Sequence, residues 1–155
     1  MDIETLARSL QQQKLLGELS ESHVAFLAGC TKNARFAEGS FLFREGDDAD
    51  AVYILRKGKV SLEIYDSTRG TIVVETLGPG EVLGWSTIFP PHQWDLDGRA
   101  AKDTLAFSID GHCLRRKLDG DHDFGYAFTR LMLREVHRRL ERTRLQTLDV
   151  FRAAP

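Results

Sequence analysis

Phe41-Leu-Phe-Arg-Glu-Gly-Asp-Asp-Ala-Asp-Ala-Val-Tyr-Ile-Leu-Arg-Lys-Gly-Lys-Val-Ser-Leu-Glu-Ile-Tyr65 is a run of short apolar segments punctuated by glycine and aspartate. Its last six residues alternate: Val60, Leu62 and Ile64 fall on one face of an extended chain, and Ser61, Glu63 and Tyr65 on the other. Phe41 to Arg44 and Ala51 to Arg56 read as two further strands of the same kind. Gly46 and Gly58 fall in the connections, where a residue without Cβ accepts positive φ or a close backbone approach at low cost.

The same texture extends in both directions, from Ala34 to Ile109. Thr71 to Leu77 and Ala100 to Ile109 are further strands, with turns at Asp66-Ser-Thr-Arg-Gly70 and Leu77-Gly-Pro-Gly80. Regular short strands of this kind predict an antiparallel jelly roll or related barrel. Ahead of it, Ile3, Leu6, Ala7 and Leu10 fall at helical spacing. A second short helix starts with Ser20 as N-cap, carries Val24, Leu27 and Ala28, and stops at Gly29. After Asp110 the helical period returns, first in a short piece near Cys113 to Leu118 and then in a long helix from about Asp121 to Phe151. The expected fold is mainly β with flanking helices. A double-stranded β-helix, or jelly-roll barrel, spans 34–110, N-terminal helices occupy 1–33 and C-terminal helices 111–155, all within the single domain 1–155.

The long helix carries a stripe at alternating three and four spacing, Leu133, Val136, Leu140, Thr143, Thr147 and Val150, the seam pattern of a two-helix coiled coil. A second face, Phe124, Phe128, Leu131, Leu145 and Leu148, is suited to packing on the barrel. The stripe predicts a homodimer through this helix; the alternative is that both faces belong to one monomeric core.

With 155 residues, 42% hydrophobic and 28% charged, the chain has the composition of one globular domain. Its 21 Lys and Arg against 23 Asp and Glu leave a formal charge of −2, which gives no whole-chain attraction to nucleic acid or anionic lipid. The N-terminus builds no secretory h-region, and no stretch reaches membrane-spanning length. Cys30 and Cys113 lie far apart and outside any Cys-x-x-Cys motif, so they read as reduced, partly buried residues of a cytoplasmic protein rather than as a disulfide or metal pair.

The segment Phe41 to Val60, with Leu77-Gly-Pro-Gly-Glu-Val-Leu-Gly84 and Arg99-Ala-Ala101 in the same order, resembles the cyclic-nucleotide-binding domain family, which includes the catabolite activator protein and the regulatory subunits of protein kinase A. The resemblance implies a non-catalytic regulatory sensor whose ligand, cAMP, cGMP or another small anion, sits in a phosphate-binding cassette from Leu83 to Ala101. In that reading Gly84, Trp85, Ser86, Arg99 and Ala100 form the ligand set. Gly84 opens a short helix with free N–H groups, and the Arg99 guanidinium anchors the phosphate. A structural ion pair of Arg99 with Asp95, Asp97 or Asp103 is the competing reading. Thr143 matches a threonine that in the catabolite activator protein contacts the purine across the dimer, although coiled-coil register also explains a polar residue there.

One departure bears on the ligand. Family members that bind cyclic nucleotides usually carry a glutamate after the cassette glycine, accepting a hydrogen bond from the ribose 2′-hydroxyl; here that residue is Trp85, whose indole only donates. Asp95 or Asp97 is a weaker candidate for the missing acceptor. Two accounts of the aromatic stretch compete: Trp85, Phe89 and Trp94 line an altered pocket, or they and Pro90-Pro91 plug it and leave a ligand-free interaction module with an unidentified protein partner. A cupin-like metalloenzyme is a further alternative, disfavoured because His23, His92, His112, His122 and His137 form no His-x-His pair. DNA binding is not expected either. The chain ends at Pro155 with no room for a helix-turn-helix, and the basic run Arg130, Arg134, Arg138, Arg139, Arg142 and Arg144 is interrupted by Glu135 and Glu141.

Overall fold

The computed structural model describes residues 2–153. Two short helices open it, α1 (Ile3–Gln11) and α2 (Glu21–Ala28), each started by a side chain that accepts from an otherwise unpaired N–H: Asp2 from Thr5 at 2.8 Å and Ser20 from His23 at 3.1 Å. Eight strands follow: β1 (Thr31–Phe36), β2 (Phe41–Phe43), β3 (Ala51–Lys57), β4 (Val60–Asp66), β5 (Gly70–Leu77), β6 (Val82–Leu83), β7 (Asp97–Ala100) and β8 (Thr104–Asp110). Then come α3 (Gly111–Gly120), capped by Asp110, and α4 (His122–Ala153), where Asp121 accepts from the Phe124 N–H at 3.0 Å.

The strands form two antiparallel four-stranded sheets, ordered β1-β8-β3-β6 and β2-β7-β4-β5. This is the expected jelly roll. β3 shows why the sequence folds this way. Ala51, Tyr53 and Leu55 face the space between the sheets with Val60, Leu62, Leu77 and Ala106, while Val52 and Ile54 face outward under the helices. That outer layer contains Leu10, Leu27, Leu114, Phe124 and Phe128. Both faces of β3 are therefore buried, and the helices are needed to cover an apolar sheet surface.

Several boundaries differ from expectation. The sheet begins at Thr31 rather than Ala34, because β1 lies along β8 and pairs from Thr31 with Ile109 to Phe36 with Thr104. The single strand expected from Ala100 to Ile109 is two. β7 belongs to one sheet and β8 to the other, and the corner between them is tied by Ala101 N–H to Lys59 O at 2.8 Å and Thr104 Oγ1 to Lys102 O at 2.8 Å.

Cys30 and Cys113 are not reduced: they are joined in a disulfide with Cα atoms 5.5 Å apart. Helix α2 ends where α3 begins, which brings together two residues 83 apart in sequence. The second face of α4 is also shorter than expected. Phe124, Phe128 and Leu131 are buried, but Leu145 is 62% and Leu148 42% exposed. The outermost ion pairs from α4 to the barrel are those of Arg142, and every described residue from Thr143 to Ala153 is exposed. No described helix is long and apolar enough to cross a membrane.

Candidate functional site

Gly84 has φ 105° and leads a 3-10 turn, Trp85–Thr87. A Cβ there would lie 2.6 Å from the Ala51 carbonyl oxygen, so both the backbone conformation and the available space require glycine. The turn is fixed to its surroundings by Thr87, whose N–H donates to Gly84 O at 2.9 Å and whose hydroxyl donates to Ala51 O at 2.7 Å. Arg115 of α3 donates to Thr87 O at 2.8 Å, so the cassette turn is tied to a C-terminal helix.

The loop then crosses the barrel mouth. Gly46 N–H donates to Trp94 O and Trp94 N–H to Asp47 O, at 2.8 and 3.0 Å. These bonds turn Trp94 inward, where it is buried and stacks flat on Phe43, ring centroids 3.7 Å apart and planes 6° apart. Gly98 of β7 makes room for the pair, since a Cβ there would lie 2.5 Å from the Phe43 ring. Phe89 is 59% exposed and lies outside this arrangement. What remains of the interior is a cavity of about 160 Å³ whose walls include Gly84, Trp85, Ser86, Trp94, Glu75 and Arg139.

The cation in that cavity comes from α4. Arg139 is only 5% exposed and grips Glu75 with two parallel hydrogen bonds, Nε to Oε1 at 3.0 Å and Nη2 to Oε2 at 2.9 Å. Its Nη1 donates to the Val82 carbonyl, and its guanidinium carbon lies 4.3 Å from the centre of the Trp85 ring. One turn further along, Arg142 bonds Glu75 at 2.8 Å and Glu81 at 2.7 Å. Arg138 bridges Glu81 to Glu135.

Burial opposes ionisation of Glu75, but the hydrogen bonds and charges of Arg139 and Arg142 outweigh it and hold the carboxyl below its ordinary range. Glu81 is held low in the same way against burial, by the Gly78 N–H and Arg142. Arg134 pairs with Glu18. Most of the basic run on α4 is thus neutralised by the chain's own carboxylates.

Of the residues expected in the site, Gly84, Trp85 and Ser86 line the cavity; Arg99, Ala100 and Thr143 do not. β7 decides the first two. Gly98 and Ala100 are its buried, inward residues, and the register Arg99 to Ser61 and Phe41 sends the Arg99 side chain to the opposite face. There it lies 4.5 Å from the Phe41 ring and 3.3 Å from Glu63, a carboxylate only 5% exposed that also accepts from Ser61. The ion pair is therefore with Glu63, not with Asp95, Asp97 or Asp103. Asp97 pairs with Arg44 at 3.5 Å, and Asp103 accepts from Glu38 N–H at 2.9 Å. Ala100 contributes backbone only, donating to Ser40 O and accepting from Gly39 N–H. Thr143 is exposed, and its hydroxyl donates to Arg139 O at 2.9 Å on its own helix. Sequence reasoning missed Arg139 and Glu75. The available signal was Arg138, Arg139 and Arg142 at helical spacing with two isolated barrel glutamates, Glu75 and Glu81, to meet them.

The structural relatives agree on the architecture. A candidate cyclic nucleotide-binding protein from Geobacter metallireducens GS-15 superposes with TM-score 0.76 at 24% identity, covering 90% of this chain and 98% of that one. A cyclic nucleotide-binding domain from Methylobacillus flagellatus KT gives 0.78 at 18%, covering 95% and 83%. The N-terminal domain of a transcriptional regulator from Streptomyces coelicolor A3(2) gives 0.66 at 25%, covering 94% and 95%. No curated protein matches the chain. The cyclic nucleotide-binding domain profile matches residues 34–121, over half of the chain and including the whole cassette. On that match, carried by a jelly roll with its glycine-led turn and helical arm, the chain belongs to the cyclic nucleotide-binding domain family.

Proposed function

We propose that this is a non-catalytic regulatory domain whose cassette cavity is closed to cAMP and cGMP by the chain's own groups, and whose output is the position of α4. The observation that carries this reading is Arg139: a buried cation on α4 walls the cavity and is already neutralised by Glu75. A volume of about 160 Å³ also lies below the range of roughly 300–1,000 Å³ found for small-molecule sites. Trp85 cannot accept from a ribose hydroxyl, and Arg99 faces away. The Streptomyces coelicolor relative, a domain of a transcriptional regulator, supports a regulatory role. Calorimetric titration of the nucleotide-stripped protein with cAMP and cGMP is expected to show no saturable binding tighter than about 1 mM. Saturable micromolar binding would mean that the cavity opens, and the reading would return to a nucleotide sensor.

Exposed Leu140 and Val150, in the C-terminal half of α4, support pairing of that half with the same helix of a second copy. A sedimentation series is expected to show a concentration-dependent dimer that Leu140→Glu shifts to monomer. A wild-type chain that stays monomeric throughout removes the dimer.

A further inference from the structure

A larger cavity than the one in the cassette lies beside the helices. A groove of about 950 Å³ lies against the other end of the cassette loop, walled by Ile88 and Pro90 from that loop, Leu118 and Arg115 from α3, and Tyr126 and Arg130 from α4. Its volume falls within the range in which small molecules bind, and the cassette cavity does not.

Among the described residues, two arginines in the groove wall lack a carboxylate partner, unlike the four that tie α4 down. Arg134, Arg138, Arg139 and Arg142 each have a carboxylate partner. Arg115 and Arg130 form no ion pair among the described residues: Arg115 donates to Thr87 O, and Arg130 to the Tyr126 hydroxyl at 3.3 Å. Asp119 also lines the groove, so its walls carry two guanidinium groups and one carboxylate. Guanidinium without a carboxylate partner beside apolar walls suits a hydrophobic body that ends in an anion, of which a carboxylate carries the single charge.

We propose that this groove binds an apolar molecule carrying a single carboxylate, of the size of a medium- or long-chain fatty acid. Such a ligand touches the cassette loop, α3 and α4 together. It gives the domain an input that does not depend on the closed cassette cavity. The two cavities are separate, so failure of this proposal leaves the reading of the cassette intact, and the converse also holds.

The test is calorimetric titration of the delipidated full chain with dodecanoate below its micelle-forming concentration, beside dodecanol and acetate. One equivalent of dodecanoate is expected to bind saturably, dodecanol at least about tenfold more weakly, and acetate not at all. Arg130→Gln is expected to weaken dodecanoate about tenfold, while Arg144→Gln, an arginine outside the groove, leaves it unchanged. Thr129→Trp, at an exposed lining position, fills the groove and abolishes binding without touching the core. Absence of saturation, equal affinity for dodecanol, or indifference to both Arg130→Gln and Thr129→Trp in folded protein overturns the proposal.

Discussion

Reducing the Cys30–Cys113 bridge is expected to lower the thermal midpoint by roughly 10 °C. Cross-linking residues 83 apart removes closure entropy from the unfolded chain, worth about 4 kcal/mol for a loop of this length. In a domain of this size each kcal/mol moves the midpoint by about 2–4 °C. The bridge joins the end of α2 to α3, so its loss also loosens the helical layer over β3. Thermal melts with and without a thiol reductant, and a Cys30→Ser variant insensitive to the reductant, measure this effect. Identical melts for the two forms would show that helix packing alone holds that corner.

Arg139→Ala is expected to destabilise the domain by about 3 kcal/mol, because it leaves the Val82 carbonyl without its side-chain donor and Glu75 with Arg142 as its one remaining cation. Arg139→Lys keeps the charge but not the two-pronged geometry, so it falls between wild type and alanine. The cluster also sets an acid limit. Glu75 and Glu81 have depressed carboxyl pKa values in the fold, so their contribution is complete above the unfolded carboxyl value and is lost as pH falls through the folded one. Denaturant melts at descending pH are expected to show wild type losing stability in that acidic window and Arg139→Ala losing less. Equal acid losses in the two proteins would place the titration elsewhere.

The fold was legible because its evidence is local. Alternation in Val60–Tyr65, the Ser20 cap and the Gly29 stop each act within a few residues, and each element formed as those signals predict. The cavity's lining was legible only up to Ser86, where the glycine-led turn is likewise local. Beyond it, roles depend on which face of a strand a residue occupies and on which element crosses it. Arg99 sits within the cassette in sequence yet points out of the barrel, because Gly98 and Ala100 take the inward positions. Trp94 is directed inward by backbone bonds to Gly46 and Asp47, some 50 residues away. Arg139 reads as one member of a solvated basic run until Glu75, from the other side of the chain, is placed against it. The Cys30–Cys113 bridge has the same cause: no spacing rule relates the two residues, and only the meeting of α2 with α3 does.

On the proposed reading, in which α4 carries the output, that helix would work as a lever. Its fulcrum is the arginine cluster at Arg138, Arg139 and Arg142, and its outer arm, Thr143–Ala153, is exposed throughout. Eleven helical residues extend about 16 Å, so a tilt of about 20° at the fulcrum carries the tip about 6 Å. Phe151 would thereby move by about two hydrogen-bond lengths, a displacement a neighbouring chain would feel.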